Sequence, residues 1–261
     1  MYNHLGSEIS YSKLSLLDQS VVKYYNRYVL KLPEPTKTSY RFGNAFDAYI
    51  TEPIVFKNNW TIKATATTTL DMHITQTEYN AIIKMAESLH GFNNWGSQSY
   101  LGNYTLGEIF ETANLQTELY WQDNGVACRG KMDADLTLPS HRVIFDIKST
   151  AAESLEDCIK SIFNFRYYIQ AAHYINSINI LTPHLIPKFY FVFVSKTTHE
   201  CWVLHVTDEL LEYGNKERTR LINKLLNLES SGEYLKPQPC TDIWLPSWIK
   251  NNFKDVNYEN I

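Results

Sequence analysis

Asp146 and Lys148 are two charged residues where a buried strand would ordinarily carry none. They lie two apart in VIFDIKST, residues 143–150, among β-branched and aromatic neighbours. Side chains two apart in a strand share a face, so the pair projects together with Ile147 packed behind it. A buried charge is costly unless it is paired, hydrogen-bonded or holding a metal, so the arrangement is either a structural ion pair or a site. Of the 28 acidic residues, only Asp146 has a lysine two positions on. Roughly one such spacing arises by chance at average composition, so its surroundings must decide. They add carboxylates: GKMDAD puts Asp133 and Asp135 on one strand, and TELYW puts Glu118 on the strand before. Three neighbouring strands would then converge acids on one face around one lysine. Hard oxygen ligands of this kind hold a divalent cation such as Mg²⁺, while an ammonium orients water or a phosphate beside it, as chemistry on a phosphodiester requires.

The elements that must position these groups are legible in the periodicity. From residue 117 the period is two: TELYWQ and VACRGKMDADL read as strands joined at Asp123-Asn124-Gly125, a hairpin signal, and RVIFDIKS as a third. SLEDCIKSIFNFRYYIQAAHYINSI reads as one long helix, KFYFVFVS and CWVLHV as two more strands, and DELLEYGNKERTRLINKLLNL as a C-terminal helix. Upstream, SYSKLSLLDQSVVKYYNRYVL has helical spacing with Ser10 or Ser12 as N-cap, and the prolines of LPEPT end it. RFGNAFDAYIT predicts a helix with Phe42, Ala45, Phe46 and Tyr49 on one side and Asp47 beside them. In ITQTEYNAIIKMAESLH, Thr75 and Glu78 have capping-box spacing and Ala81, Ile82, Met85 and Leu89 form a stripe. Residues 54–74 read either as a strand or as an ordered loop. The order predicts an α/β (α+β) fold with a mixed central sheet flanked by helices. No repeat or linker marks a second domain, so residues 1–261 are expected to form one domain, helical over 1–115 with a catalytic core over 116–230.

With 261 residues, 44% of them hydrophobic, the chain can bury a large core. No apolar run is long enough to cross a bilayer and MYNHLGSEIS is unlike a signal peptide, so an intracellular location is expected. Cys128, Cys158, Cys201 and Cys240 are widely spaced, which signals neither a zinc site nor an iron–sulfur cluster and predicts reduced, mostly buried thiols. A net charge of −4 argues against a protein that coats nucleic acid, but leaves room for an enzyme that confines its basic residues to one groove.

In their joint order, Glu118, Gly130-Lys131-Met132-Asp133, Asp146-Ile147-Lys148 and Gln170-Ala171-Ala172-His173-Tyr174 resemble the PD-(D/E)xK nuclease superfamily. Within it the chain is similar to the phage and prophage exodeoxyribonuclease VIII, or RecE-type, branch, on SYSKLS, FGNAFDAYITEP and the closing IWLPSW as well. The resemblance implies a PD-(D/E)xK restriction-endonuclease-like core and a Mg²⁺-dependent 5′→3′ exonuclease on linear double-stranded DNA, with Mn²⁺ as a substitute metal. It also implies work in recombination, a ring-like trimer or tetramer, a single-strand annealing partner and the cytoplasm of a bacterial host. Asp133 and Asp146 would hold the metal, the Ile147 carbonyl would add a ligand, and Glu118 would complete the shell. Lys148 would be the catalytic lysine, and Gln170 and Tyr174, spaced i and i+4, would share one helix face. Asp47 stands where this helix would commonly present histidine, and is an acceptable oxygen ligand for Mg²⁺.

Bland readings stand beside these. Asp135 reads as a solvated strand end, His173 as a packing histidine, and Gln170 with Tyr174 as polar caps on a core helix. Arg41 reads as a contact for a terminal phosphate of DNA or as a solvated arginine. The competing functions are a repair or restriction endonuclease of the same fold and a catalytically silent DNA-binding module.

Overall fold

The computed structural model describes residues 8–33, 39–63 and 72–235. The closing IWLPSW and Cys240 lie outside them, as does most of LPEPT. Ser10 caps the first helix, α1 (Tyr11–Gln19), by accepting the Lys13 N–H. The chain resets at Ser20, which caps α2 (Val21–Tyr24), and widens into a π-turn over Tyr25–Val29. The expected single helix is therefore interrupted, because Ser20 turns extended and caps anew. α3 (Ser39–Thr51) and α4 (Pro53–Asn59) follow, the second opened by Pro53 in its first turn. β1 (Thr61–Lys63) runs parallel to β2 (His73–Thr75). α5 (Gln76–His90) carries the Thr75–Glu78 capping box, and α6 (Leu106–Thr112) a second one from Thr105 and Glu108.

The main sheet has the order β3 (Asn114–Asp123), β4 (Val126–Thr137), β5 (His141–Thr150), β6 (Ile186–Ser195), β7 (Cys201–His205). Only β5 and β6 are parallel, so the sheet is mixed. The crossover between them is α7 (Leu155–Asn164) and α8 (Tyr167–Leu181), and α9 (Asp208–Ser231) closes the described core. The single long helix expected for the crossover is broken at Arg166, which adopts the left-handed conformation at φ 56°. Asp18 on α1 ion-pairs with the Arg166 guanidinium and holds the break.

Both faces of the sheet are covered. Phe189, Phe191 and Phe193 pack against α1, α8 and α9, while Tyr190, Val192 and Val194 pack against α3, α5 and α6. The strand period sends alternate residues to the two faces, and because both are covered β6 is apolar along its buried length, as a strand with a parallel neighbour usually is. The N-terminal helices therefore divide between the two faces, α1 and α2 on one and α3, α5 and α6 on the other. Among the described residues no helix is long and apolar enough to cross a membrane.

A fork in this sheet creates the site. β4 and β5 pair from Ala134 opposite Phe145 to Thr137 opposite Arg142, and the ladder stops short of Asp133 and Asp146. At the same level the β3 ladder skips the position that would pair Gln116 with Asp133, and Gln116 has a φ of 53°. Met132 faces one core and Ala134 the other although they lie two apart, so β4 is wrung about Asp133. Beyond the fork, Ile9 takes the vacated edge of β4: its N–H donates to Ala127 O at 2.8 Å and its carbonyl accepts from Arg129 N at 2.9 Å. This exchange brings the start of α1 to the mouth of the fork.

Candidate active site

Asp133 and Asp146 are the first residues beyond the β4–β5 ladder, where a side-chain bond stands in for the backbone pairing. Asp133 Oδ2 accepts the Ile147 N–H at 2.7 Å. Asp146 Oδ2 meets Lys148 Nζ at 2.5 Å, and Asp146 Oδ1 accepts from Gln170 Nε2 at 2.5 Å. Gln170 Nε2 also lies 3.5 Å from the Tyr174 hydroxyl, which donates to the Lys131 carbonyl at 2.8 Å. One face of α8 thus reaches both prongs of the fork, Asp146 directly and β4 two residues before Asp133. Gly130 makes room for this contact, since a Cβ there would stand 2.8 Å from the Tyr174 ring.

Asp47 enters from α3 on the opposite face. Thr51, one turn later, donates to the Asp47 carbonyl at 2.8 Å and accepts from Gln116 Nε2 at 2.7 Å, so the unpaired Gln116 ties α3 to the fork. Asp47 Oδ1 and Gln170 Oε1 are buried and have no hydrogen-bond partner among the described residues. Burial pushes the Asp47 carboxyl up to about 6, with Asp146 adding to the rise and Lys148 and Lys131 opposing it. Asp133 is raised well above the usual range by burial and by the charges of Asp146 and Asp47, against the pull of Lys148. Asp146 is raised by burial, again against Lys148. Burial would lower Lys148, but Asp146 and Asp133 outweigh it and its pKa rises. Three carboxylates thus share one ammonium, and the site is short of positive charge. Hard oxygen donors with a deficit of cation suit a divalent metal held by Asp47, Asp133 and Asp146, with the Ile147 carbonyl adjacent on β5. Among the described residues no three carboxylate, imidazole or thiol side chains stand together closely enough to hold a metal ion, and the Lys148 ammonium occupies Asp146 at 2.5 Å.

The remaining expected residues fall elsewhere. Glu118 pairs with Lys131, about 7 Å along β4 from Asp133 by strand rise, and its exposed carboxylate accepts the Tyr120 hydroxyl at 3.0 Å. Arg41 is bound to Glu78 at 2.5 Å, on the capping-box glutamate of α5, and so is occupied away from the carboxylates. Asp135 is a correction: it is buried, not solvated, because both its oxygens are taken by Arg142, at 3.0 and 2.6 Å. His173 is a buried packing histidine. Its Nδ1 accepts from Arg218 at 3.1 Å, which leaves Nε2 to donate to Arg129 O at 3.0 Å. Sequence reasoning missed Gln116, Tyr11 and Tyr167. Tyr167 lies under Lys148, with the ammonium 4.9 Å from its ring centroid. Tyr11 lies within SYSKLS but nothing in that stretch gives it a role, and no motif marks Gln116 or Tyr167; their positions depend on the fork and the crossover.

A family model described as a PDDEXK-like domain of unknown function, DUF3799, matches residues 10–243. The chain belongs to this PDDEXK-like family. No curated protein sequence matches the PDDEXK-like chain. Among solved structures it is similar to a protein from Eubacterium rectale described as a candidate exonuclease. The two superpose with a TM-score of 0.61 at 13% identity, over 95% of this chain and 94% of that one. A weaker likeness, to SSO0001, has a TM-score of 0.38 at 13% identity over 87% and 80% of the two chains. At 13% identity the likeness to the Eubacterium rectale protein concerns the fold alone.

Proposed function

We propose that the protein is a Mg²⁺-dependent deoxyribonuclease, a 5′→3′ exonuclease on linear double-stranded DNA of the RecE-type branch, serving phage-type recombination as a ring-like homo-oligomer. The observation that carries the reading is the fork itself. It gathers the carboxylates of Asp133 and Asp146 where two strands part, with the Lys148 ammonium on Asp146 at 2.5 Å. A divalent cation bound there supplies Lewis-acid polarisation of a phosphoryl oxygen and a more acidic water. Asp47, Asp133 and Asp146 hold it, Gln170 fixes the orientation of Asp146, and Lys148 stabilises charge developing on the phosphate as water attacks. Asp47 does the work that histidine does in the resembling family, with one more negative charge at the site. The description of the Eubacterium rectale protein adds support for exonuclease action; the sequence resemblance supplies polarity, recombination and oligomer.

The test is digestion of linear duplexes labelled at one 5′ or one 3′ end, with Mg²⁺ and with EDTA, beside closed circular DNA. The reading expects metal-dependent release of the 5′ label first and an intact circle. Cutting of the circle would favour an endonuclease of the same fold. Binding without cutting under any divalent metal would favour the silent module.

A further inference from the structure

A row of aromatic rings begins beside Lys148 and ends at the exposed Phe165. Tyr167, which carries the Lys148 ammonium 4.9 Å from its ring centroid, rests on Phe191 at 5.9 Å and Phe193 at 6.4 Å. On its other side lies Phe165, at 5.5 Å between centroids and 58% exposed, and two residues earlier Phe163 is 51% exposed. The position of Phe165 is fixed from both sides. Arg166, the next residue, is held left-handed at φ 56° with its guanidinium on Asp18, and the Tyr11 hydroxyl donates to the Phe165 carbonyl at 3.0 Å. An exposed large ring on an over-determined turn, one ring removed from the Lys148 ammonium, is spent on something other than the core.

Tyr11 links this row to a cleft of about 370 Å³ that it lines together with Arg27, Arg129, Lys131 and Glu118. Three cations line the cleft with one carboxylate, Lys131 also meeting Glu52 at 3.8 Å; the excess of positive charge suits a polyanion, and exposed aromatic rings suit the faces of bases. Inside a paired and stacked duplex both faces of a base are covered, so an aromatic shelf is open to a base that has left the stack or to the bare face at a duplex end, and a single ring such as Phe165 matches one base rather than the width of a pair. We propose that the Phe165–Tyr167 shelf and the adjoining cleft take an unpaired stretch of the nucleic acid strand, one base stacking on Phe165 and the phosphates lying against Arg27, Arg129 and Lys131. This rests on the nuclease reading above and adds to it a preference for a frayed or single-stranded end beside the scissile bond.

The experiment uses a duplex with a short single-stranded overhang carrying 2-aminopurine at successive positions, with Ca²⁺ in place of Mg²⁺ at fixed salt. Binding of the parent should quench the probe at one position. Phe165→Ala should lose most of that quenching and bind roughly ten-fold more weakly, and Phe165→Trp should restore both. With an abasic site at that position, parent and Phe165→Ala should bind alike. Because Phe165 is exposed, the alanine variant should melt with the parent, and melting checks this. Equal quenching and affinity in parent and Phe165→Ala would overturn the shelf. A parent that binds and quenches but never cuts with Mg²⁺ would sink the nuclease reading and leave the shelf standing. A parent that binds no DNA would end both.

Discussion

Asp133 Oδ2 accepts the backbone N–H of Ile147 at 2.7 Å, so a side chain closes the gap where β4 leaves β5. The bond gives Asp133 two duties, bracing the fork and supplying a charge, and substitutions separate them. Asp133→Asn keeps an acceptor for the N–H and removes one of three crowded carboxylates, so the fold should hold to within about 1 kcal/mol. Hydrolysis should fall at least about 100-fold with the loss of a metal ligand. Asp133→Ala should lose activity and also stability. Nuclease rates beside melting curves read both.

Asp47 offers a buried oxygen without a partner and comes from a different helix. Asp47→Ala should raise the Mg²⁺ concentration needed for half-maximal activity by roughly ten-fold or more, about 1.4 kcal/mol of binding, without lowering the melting temperature. Asp47→His should retain part of the activity. An alanine variant with the parental Mg²⁺ titration would remove Asp47 from the site.

The strands and most caps were legible because their signals are local. Asn124 and Gly125 take φ 49° and 83°, the left-handed pair that an Asn-Gly hairpin turn demands. Asp146 and Lys148 share a face by strand period alone. What sequence does not carry locally is the partner that a residue meets after folding. Arg166 breaks the crossover helix because Asp18 on α1 binds it, and Asp135 is buried because Arg142 crosses from the next strand. The departure of β4 from β5, and the arrival of Ile9 in its place, are decided by packing of both faces at once. Those events set the distances at the site, so its residues could be named from the sequence but not assembled.

Gly130 should be intolerant of any side chain. A Cβ there would stand 2.8 Å from the Tyr174 ring, whose hydroxyl bonds the next carbonyl along β4. Gly130→Ala should destabilise by about 1–3 kcal/mol through overpacking, and the double variant with Tyr174→Phe should not recover it, because the ring remains. Denaturant unfolding of the single and double variants measures the effect.

His173 should make the protein acid-sensitive. Burial first, and then the Arg218 guanidinium, push its pKa down from 6.5 to about 3. The unfolded chain therefore binds a proton that the folded one refuses. Its contribution to stability is complete above pH 6.5 and is lost as pH falls from there toward 3, with a slope of at most about 1.4 kcal/mol per unit. His173→Gln should be less stable than the parent at neutral pH yet lose less between pH 6.5 and pH 4. Parallel acid-melting curves for the two proteins would show no such convergence if His173 were protonated in the folded state.

In the proposed nuclease, Lys148 acts on the transition state while DNA is held by many other contacts. Its ammonium lies on Asp146 at 2.5 Å, inside the fork. Removing one such electrostatic contact costs about 10²–10³ in rate, whereas ground-state affinity is spread over many phosphates. The most direct measurement compares Lys148→Ala with the parent in two assays: cleavage of linear duplex with Mg²⁺, and affinity for the same duplex with Ca²⁺ at fixed salt. Cleavage should fall by at least about 100-fold while affinity stays within a few-fold of the parent. A variant that binds poorly but cuts at the parental rate once saturated with DNA would contradict the account.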